Sequence, residues 1–269
     1  MALLGTDTHR GFIGVFDSGI GGLSVANAIC GLLPRENLLY VADNARAPYG
    51  QRSLGEIRAF SLDITERLLR AGVKLIVVAC NTATSAAIDH LRERYPDVPF
   101  VGLEPAIKPA AAGRSIGVLA TEATLRSDRY RELRARYLTD RPVWENPCRG
   151  LVPLIEADSP ELDAYLVDLL APAQHIDTLV LGCTHYPLVQ EQIAAALPAG
   201  VRIIDPSLPA ARQVVRRLEQ LGAVAGGEGG GGGIHDFLSS GSAVPLQRTL
   251  LRLPELNQGR RWLARTFAP

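Results

Sequence analysis

Lys74-Leu-Ile-Val-Val-Ala-Cys80-Asn-Thr-Ala-Thr84 decides the fold, and Thr178-Leu-Val-Leu-Gly-Cys183-Thr-His-Tyr-Pro-Leu188 echoes it in the other half of the chain. In each stretch an apolar run ends in a cysteine that polar residues follow at once. A short apolar run bounded in this way reads as a buried strand. A cysteine just past its end sits at the carboxyl edge of a sheet, where open α/β folds bind ligands. Two such thiols, one from each half, can face each other across a cleft.

Outward from these two stretches the same scheme recurs. Phe12-Ile-Gly-Val-Phe16 leads into Asp17-Ser-Gly-Ile-Gly-Gly22, and Asn37-Leu-Leu-Tyr-Val-Ala42 leads into Asp43-Asn-Ala-Arg-Ala-Pro-Tyr-Gly50. Further strands are expected over residues 99–103, 115–120 and 202–205. Helical signals lie between them. Ser53 and Glu56 form a capping box, and Ile57, Phe60, Ile64 and Leu68 follow at helical spacing up to Gly72. Ser159-Pro160 reads as an N-cap with proline in the first turn. Helices are also expected over 84–95, stopped by Pro96, and over 209–221, stopped by Gly222. Strands alternating with helices imply parallel sheets flanked by helices, an α/β fold. A break between the halves is expected near Glu104-Pro-Ala-Ile-Lys-Pro-Ala110, where two prolines disfavour a continuous helix.

The chain has 269 residues, with 28 basic and 28 acidic side chains. That balance points to no nucleic-acid partner and no membrane surface. No apolar stretch approaches the roughly 20 residues that span a bilayer. The start lacks a signal-peptide pattern, so a cytoplasmic protein is expected. Cys30, Cys80, Cys148 and Cys183 form no C-x-x-C pair, which argues for free thiols and against zinc. Lysine occurs only at positions 74 and 108, and 26 of the basic residues are arginine. Pyridoxal phosphate requires a lysine, Lys74 falls at the wrong end of its strand, and Lys108 alone is left as a candidate. Chemistry without a cofactor is therefore expected. Residues 226–233 hold seven glycines and Glu228 and read as a flexible loop. They lack the ending of a phosphate-binding loop.

Each candidate residue carries an ordinary alternative. The turn Asp17–Gly22 can bring backbone amides to an anion, or can simply cap a helix with Asp17. Buried cysteines often act as small hydrophobes, which suits Cys30 and Cys148. It suits Cys80 and Cys183 less, because Asn81, Thr82 and Thr84 follow one and Thr184, His185 and Tyr186 the other. Two opposed thiols suit removal of a weakly acidic α-proton on one face and its return on the other. A free thiol titrates near 8.5, so such a group needs a neighbouring base. His185 lies two residues from Cys183 and points the same way on an extended backbone. Asp17 can serve Cys80 if the first and third strand ends are adjacent. Arg46 can grip a carboxylate or decorate a turn. Glu156 ends an apolar run and has the alternative of an ordinary helix-start glutamate. His9 lies near a start expected to be disordered, and His90, His175 and His235 lie in helix or loop patterns without a chemical neighbour.

The blocks 16–25, 48–50, 79–84, 102–110 and 182–188, in this order, resemble the glutamate racemase family. The resemblance runs from about residue 12 to 207. It implies a cofactor-independent racemase of two pseudo-symmetric α/β domains, each a mainly parallel sheet, with the active site in the cleft between them. It places domain 1 at 10–106, completed by 215–269, and domain 2 at 107–214. It implies that Cys80 takes the α-proton from D-glutamate and Cys183 from L-glutamate. Asp17 would assist Cys80; His185, with Glu156, would assist Cys183. Asp17, Ser18, Pro48, Tyr49, Gly50, Asn81, Thr82, Thr124, Thr184 and His185 would hold the substrate. The family's D-glutamate feeds peptidoglycan and so cell-wall biogenesis and cell shape, and a homodimer is expected. The rivals are a related aspartate or hydantoin racemase, a cysteine hydrolase built on Cys183 and His185, and a protein that only binds a partner.

Overall fold

The computed structural model describes residues 11–225, 233–257 and 262–267. The glycine-rich stretch, apart from Gly233, and His9 lie outside them. Ten strands are present among the described residues: β1 (Ile13–Asp17), β2 (Leu38–Ala42), β3 (Leu75–Val78), β4 (Phe100–Gly102), β5 (Ile116–Ala120), β6 (Val143–Asn146), β7 (Thr178–Gly182), β8 (Arg202–Ile204), β9 (His235–Ser239) and β10 (Trp262–Thr266). They form two all-parallel sheets. The first has the order β10-β9-β2-β1-β3-β4 and the second β6-β5-β7-β8. Central strands β1, β3, β5 and β7 are buried along their whole length. Sheets covered on both faces require such unbroken apolar runs, which is why these strands stand out in the sequence.

Three strands are invisible to the sequence reading. Strand β6 (Val143–Asn146) is half-buried throughout, and β9 and β10 lie beyond the last helical pattern. Pairing of β9 with β2 returns the chain end to the first sheet (Leu38 opposite His235). The helix Ser207–Gln220 begins two residues before the expected start and packs on the helix Leu23–Leu32 beside the first sheet. The expected division at 214/215 thus falls inside this helix. The capping box is present: Ser53 Oγ accepts from the Glu56 amide at 3.3 Å and Glu56 Oε2 accepts from the Ser53 amide at 2.9 Å. It opens the helix Leu54–Arg70. Ser159 corrects the other expectation, because the helix Leu162–Leu170 has Glu161 at its N-cap without a side-chain bond. Ser159 Oγ instead accepts from the Glu161 amide at 3.3 Å, just ahead of it. Among the described residues no helix is long and apolar enough to cross a membrane.

One apolar cluster runs from Val15 and Val77 of the first sheet to Leu119 and Leu181 of the second and to Tyr186 just past β7. It holds the carboxyl edges of the two sheets facing each other. At the opposite edge of the first sheet, Lys74 Nζ pairs with Glu36 at 2.6 Å and donates to the Ala223 carbonyl at 2.6 Å. Glu36 also accepts from the Ala225 amide at 2.6 Å and is only 2 % exposed. Removing one partner of a buried pair strands the other charge. Lys74→Met is therefore expected to lower unfolding free energy by about 3 kcal/mol, as read by urea denaturation at neutral pH.

Candidate active site

The β1 end lies beside the β3 end, with Phe16 opposite Val78, so Asp17 and Cys80 emerge at one edge. Cys80 is the N-cap of the helix Asn81–Arg94, and its Sγ accepts from the Ala83 amide at 3.4 Å. The same thiol donates to Ser18 Oγ at 3.9 Å. Burial, and then the charge of Asp17, push the Cys80 thiol up to about 12, against the pull of the Ala83 amide. Asp17 caps no helix. Its carboxylate accepts from the Gly19 amide at 2.8 Å and from Thr184 Oγ1, of the second half, at 2.9 Å. Burial raises its pKa despite those bonds and His185.

Cys183 follows β7 on the facing edge. The backbone here is a tight turn, not extended: Tyr186 N donates to the Cys183 carbonyl at 3.2 Å and His185 is right-handed helical (φ −71°, ψ −32°). The turn, and not a strand alternation, brings His185 Nδ1 to 3.8 Å from Cys183 Sγ. His185 Nε2 meets Glu156 Oε1 at 2.7 Å. Glu156 lies near the end of the helix Leu151–Ala157, not its start, and also accepts from the Ile20 amide at 2.9 Å. Burial opposes charge on the His185 ring, but Cys183 and Glu156 outweigh it and raise its pKa well above the ordinary value. Burial likewise disfavours the Glu156 carboxylate, yet His185 and the Ile20 amide hold it below the usual range.

These shifts fix a sign. A histidine with a raised folded pKa stabilises fully below its unfolded value of about 6.5, and the contribution is lost as pH rises through the folded value. The difference in unfolding free energy between the wild type and His185→Asn is expected to be largest near pH 6 and to shrink towards alkaline pH. Urea titrations of both proteins across that range check it.

The two thiols open on one cavity of about 200 Å³. Ser18, Pro48, Tyr49, Gly50, Asn81, Thr82, Thr184 and His185 line it with them. Asp17 and Glu156 stand behind this lining. Thr124 does too: its hydroxyl meets Thr121 Oγ1 at 3.0 Å, and Thr121 is the residue on the cavity. Thr121 also meets Thr82 across the cleft at 2.9 Å. Asn81 donates to the Leu103 carbonyl at 3.4 Å and leaves its buried Oδ1 without a hydrogen-bond partner.

Arg46 does not face the cavity as a carboxylate fork. It pairs with Asp43 at 2.6 Å and Asp63 at 3.1 Å and lies 4.6 Å over the Phe60 ring. Asp43 in turn accepts from the Tyr49 hydroxyl, so Arg46 shapes the loop that presents Pro48, Tyr49 and Gly50. Cys148 corrects the small-hydrophobe reading in one respect, since it lines the cavity, in the left-handed region at φ 48°. Burial raises its thiol to about 12. Cys30 is a buried helix residue, but His235 is not without a chemical neighbour, because its Nε2 lies 3.6 Å from Cys30 Sγ in the core. Thr121 and Glu122 were within reach of the strand-end argument, which applies equally to β5. Cys148, Arg149 and Val152 carry no local signal.

Comparison with known proteins places the chain in a family. The family model described as Asp/Glu/Hydantoin racemase matches residues 23–214. A glutamate racemase of Pseudomonas aeruginosa is 51% identical over 225 residues, covering 80% of this chain and 84% of that protein. The crystal structure of Escherichia coli glutamate racemase, in complex with L-glutamate and the activator UDP-MurNAc-Ala, superposes with a TM-score of 0.82. It is 32% identical and covers 96% of this chain and 98% of its own. The Thermus thermophilus glutamate racemase, in complex with β-chloro-D-alanine, gives a TM-score of 0.78 at 38% identity, over 98% of each chain.

Proposed function

The chain belongs to the Asp/Glu/hydantoin racemase family, and we propose that it interconverts L- and D-glutamate by two-base proton transfer between Cys80 and Cys183. The observation that carries this reading is the pair of thiols at the ends of β3 and β7, opening on one small cavity with different polar neighbours. A hydrolase needs one nucleophile and leaves the second thiol without a task.

In the L to D direction Cys183 starts as thiolate, its proton lodged on His185, whose imidazolium Glu156 stabilises. The thiolate takes the α-proton from one face of L-glutamate. Cys80, kept as a thiol by burial and Asp17, gives its proton to the other face. The reverse direction starts with Cys80 as thiolate and Asp17 as the nearby base. Catalysis requires that the carbanion be stabilised where charge develops. The backbone amides at Gly50 and Thr82 and the side chains of Ser18, Asn81, Thr82 and Thr184 serve that end by holding the substrate carboxylates. Thr121, in place of Thr124, joins this set from the second half. Tyr49 completes the wall from its loop. The reading carries with it a cytoplasmic homodimer that supplies D-glutamate to peptidoglycan. Light scattering on the purified protein tests the dimer.

The reaction itself is tested by circular dichroism with D-glutamate in reducing buffer without added cofactor, repeated in deuterium oxide with mass spectrometry. Decay of the optical signal with one deuterium at the α-carbon is expected. A flat signal with glutamate would overturn the assignment.

A further inference from the structure

The helix Leu151–Ala157 reaches His185 through Glu156, but its end is held from elsewhere in the chain. Its last carbonyls lack partners within the helix, as at every helix end. Arg248 Nη2, from the helix Val244–Leu250 between β9 and β10, donates to the Glu156 carbonyl at 3.1 Å. Asp158, two residues on, ends the helix in the left-handed region at φ 54°. Its carboxylate receives both terminal nitrogens of Arg252, at 2.9 and 2.8 Å, and lies 3.5 Å from Arg248 Nη1. The carboxylate of Glu156 itself reaches the first sheet's side of the cleft through the Ile20 amide. Glu156 is therefore fixed at two points, its side chain by Ile20, His185 and Asn44 and its backbone by Arg248.

We propose that Arg248, oriented by Asp158, is a positioning residue for the Glu156–His185 pair, and through it for proton transfer at Cys183. The inference rests on the two-base reading above. The ion pairs are half-exposed, and such pairs contribute little to stability. Their effect is chiefly geometric, and the Arg248 charge also helps hold the Glu156 carboxylate below its usual range, after the larger influence of His185. The C-terminal segment, whose described residues do not line the cavity, sets where the Glu156 backbone sits, and so the His185 to Cys183 alignment. Small misplacements of a proton-transfer group have large kinetic effects.

The test uses Arg248→Met, which keeps the stem and removes the donors, in the full chain. Asp158→Gly is the second variant, because glycine accepts the positive φ without strain while the carboxylate that holds Arg248 and Arg252 is lost. Enantiomers are equal in energy, so kcat/KM must fall equally in both directions, by about tenfold. The primary isotope effects separate the two thiols. With α-deuterated L-glutamate, the deuteron is taken by Cys183, and the observed effect is expected to rise towards its intrinsic value. With α-deuterated D-glutamate, Cys80 takes the deuteron while the Cys183 step limits, and the effect is expected to fall. Arg248→Lys, which keeps a donor, should move both effects back towards wild type. An isotope effect is a ratio and does not respond to loss of folded protein. Isotope effects equal to wild type in Arg248→Met and Asp158→Gly would overturn the proposal even if melting temperature or turnover fell. Failure of the wild type to racemise glutamate, or racemisation that survives loss of Cys183, would overturn the two-base reading instead.

Discussion

Cys183→Ala is expected to lose racemisation in both directions by at least about 10⁴-fold, and Cys80→Ala to do the same. A two-base exchange fails when either base is missing, since a carbanion formed on one face has no donor on the other. The variants differ in what remains. In Cys183→Ala the Cys80 side still removes and returns the α-proton of D-glutamate, so deuterium from solvent enters D-glutamate without inversion. L-glutamate stays unlabelled. Cys80→Ala is expected to show the mirror pattern, with exchange into L-glutamate only. Proton NMR of each enantiomer in deuterium oxide reads the exchange, and circular dichroism reads the racemisation. The difference in environment explains why the residual rates need not match. Cys183 has an imidazole at 3.8 Å, whereas Cys80 has Ser18, the Ala83 amide and the nearby charge of Asp17. Near-wild-type racemisation in either variant would rule out the paired-thiol reading.

Gly21→Ala is expected to lower kcat/KM by about 100-fold or more without unfolding the chain. A Cβ on Gly21 would fall on His185, 2.8 Å from Cε1, and on Thr184 Oγ1 at 2.6 Å. Both are members of the site, and neither can retreat freely. Thr184 donates to Asp17 at 2.9 Å, and its carbonyl accepts from Ser24 at 3.2 Å. His185 is pinned by Glu156 at 2.7 Å. The glycine backbone is equally confined, because its carbonyl accepts from Ser24 N at 3.1 Å and Ser24 Oγ at 2.9 Å. Overpacking of this kind costs about 1–3 kcal/mol in stability. Gly55 is the contrast. It lies in the helix Leu54–Arg70 with no atom within 4 Å of an added Cβ. Gly55→Ala is expected to stabilise by about 0.5 kcal/mol with activity unchanged, through helix propensity alone. Steady-state kinetics beside urea titration distinguish the two effects. An active, merely destabilised Gly21→Ala protein would show that the turn does not need to approach the histidine.

Much of the fold is legible because a parallel sheet buried on both faces demands long apolar runs. The runs that became β1, β2, β3, β5 and β7 are such stretches, and Ser18, Cys80, Thr121 and Cys183, just past β1, β3, β5 and β7, line the cavity. The strands that escape notice are those without that demand. Strand β6 is half-buried, and β9 and β10 join an edge of the first sheet after a stretch of sequence with little pattern. Local reasoning also stumbles where contact is made by a turn. His185 meets Cys183, but through a helical turn and not through strand alternation. Arg46 has the right chemistry for a carboxylate, yet Asp43 and Asp63 meet it first, and nothing in a linear reading shows that Asp63 arrives.

The sequence by itself determined the α/β class, the two strand-end thiols and the Ser53–Glu56 capping box, because each depends on neighbours within a few positions. Only the tertiary structure decided that Glu156 also takes the Ile20 amide, that Thr121 meets Thr82 across the cleft, and that Arg248 reaches Glu156. Those are contacts between residues far apart in the chain. They are set by sheet order and by the return of the C-terminal strands to the first sheet, and hydrophobic periodicity carries no record of either.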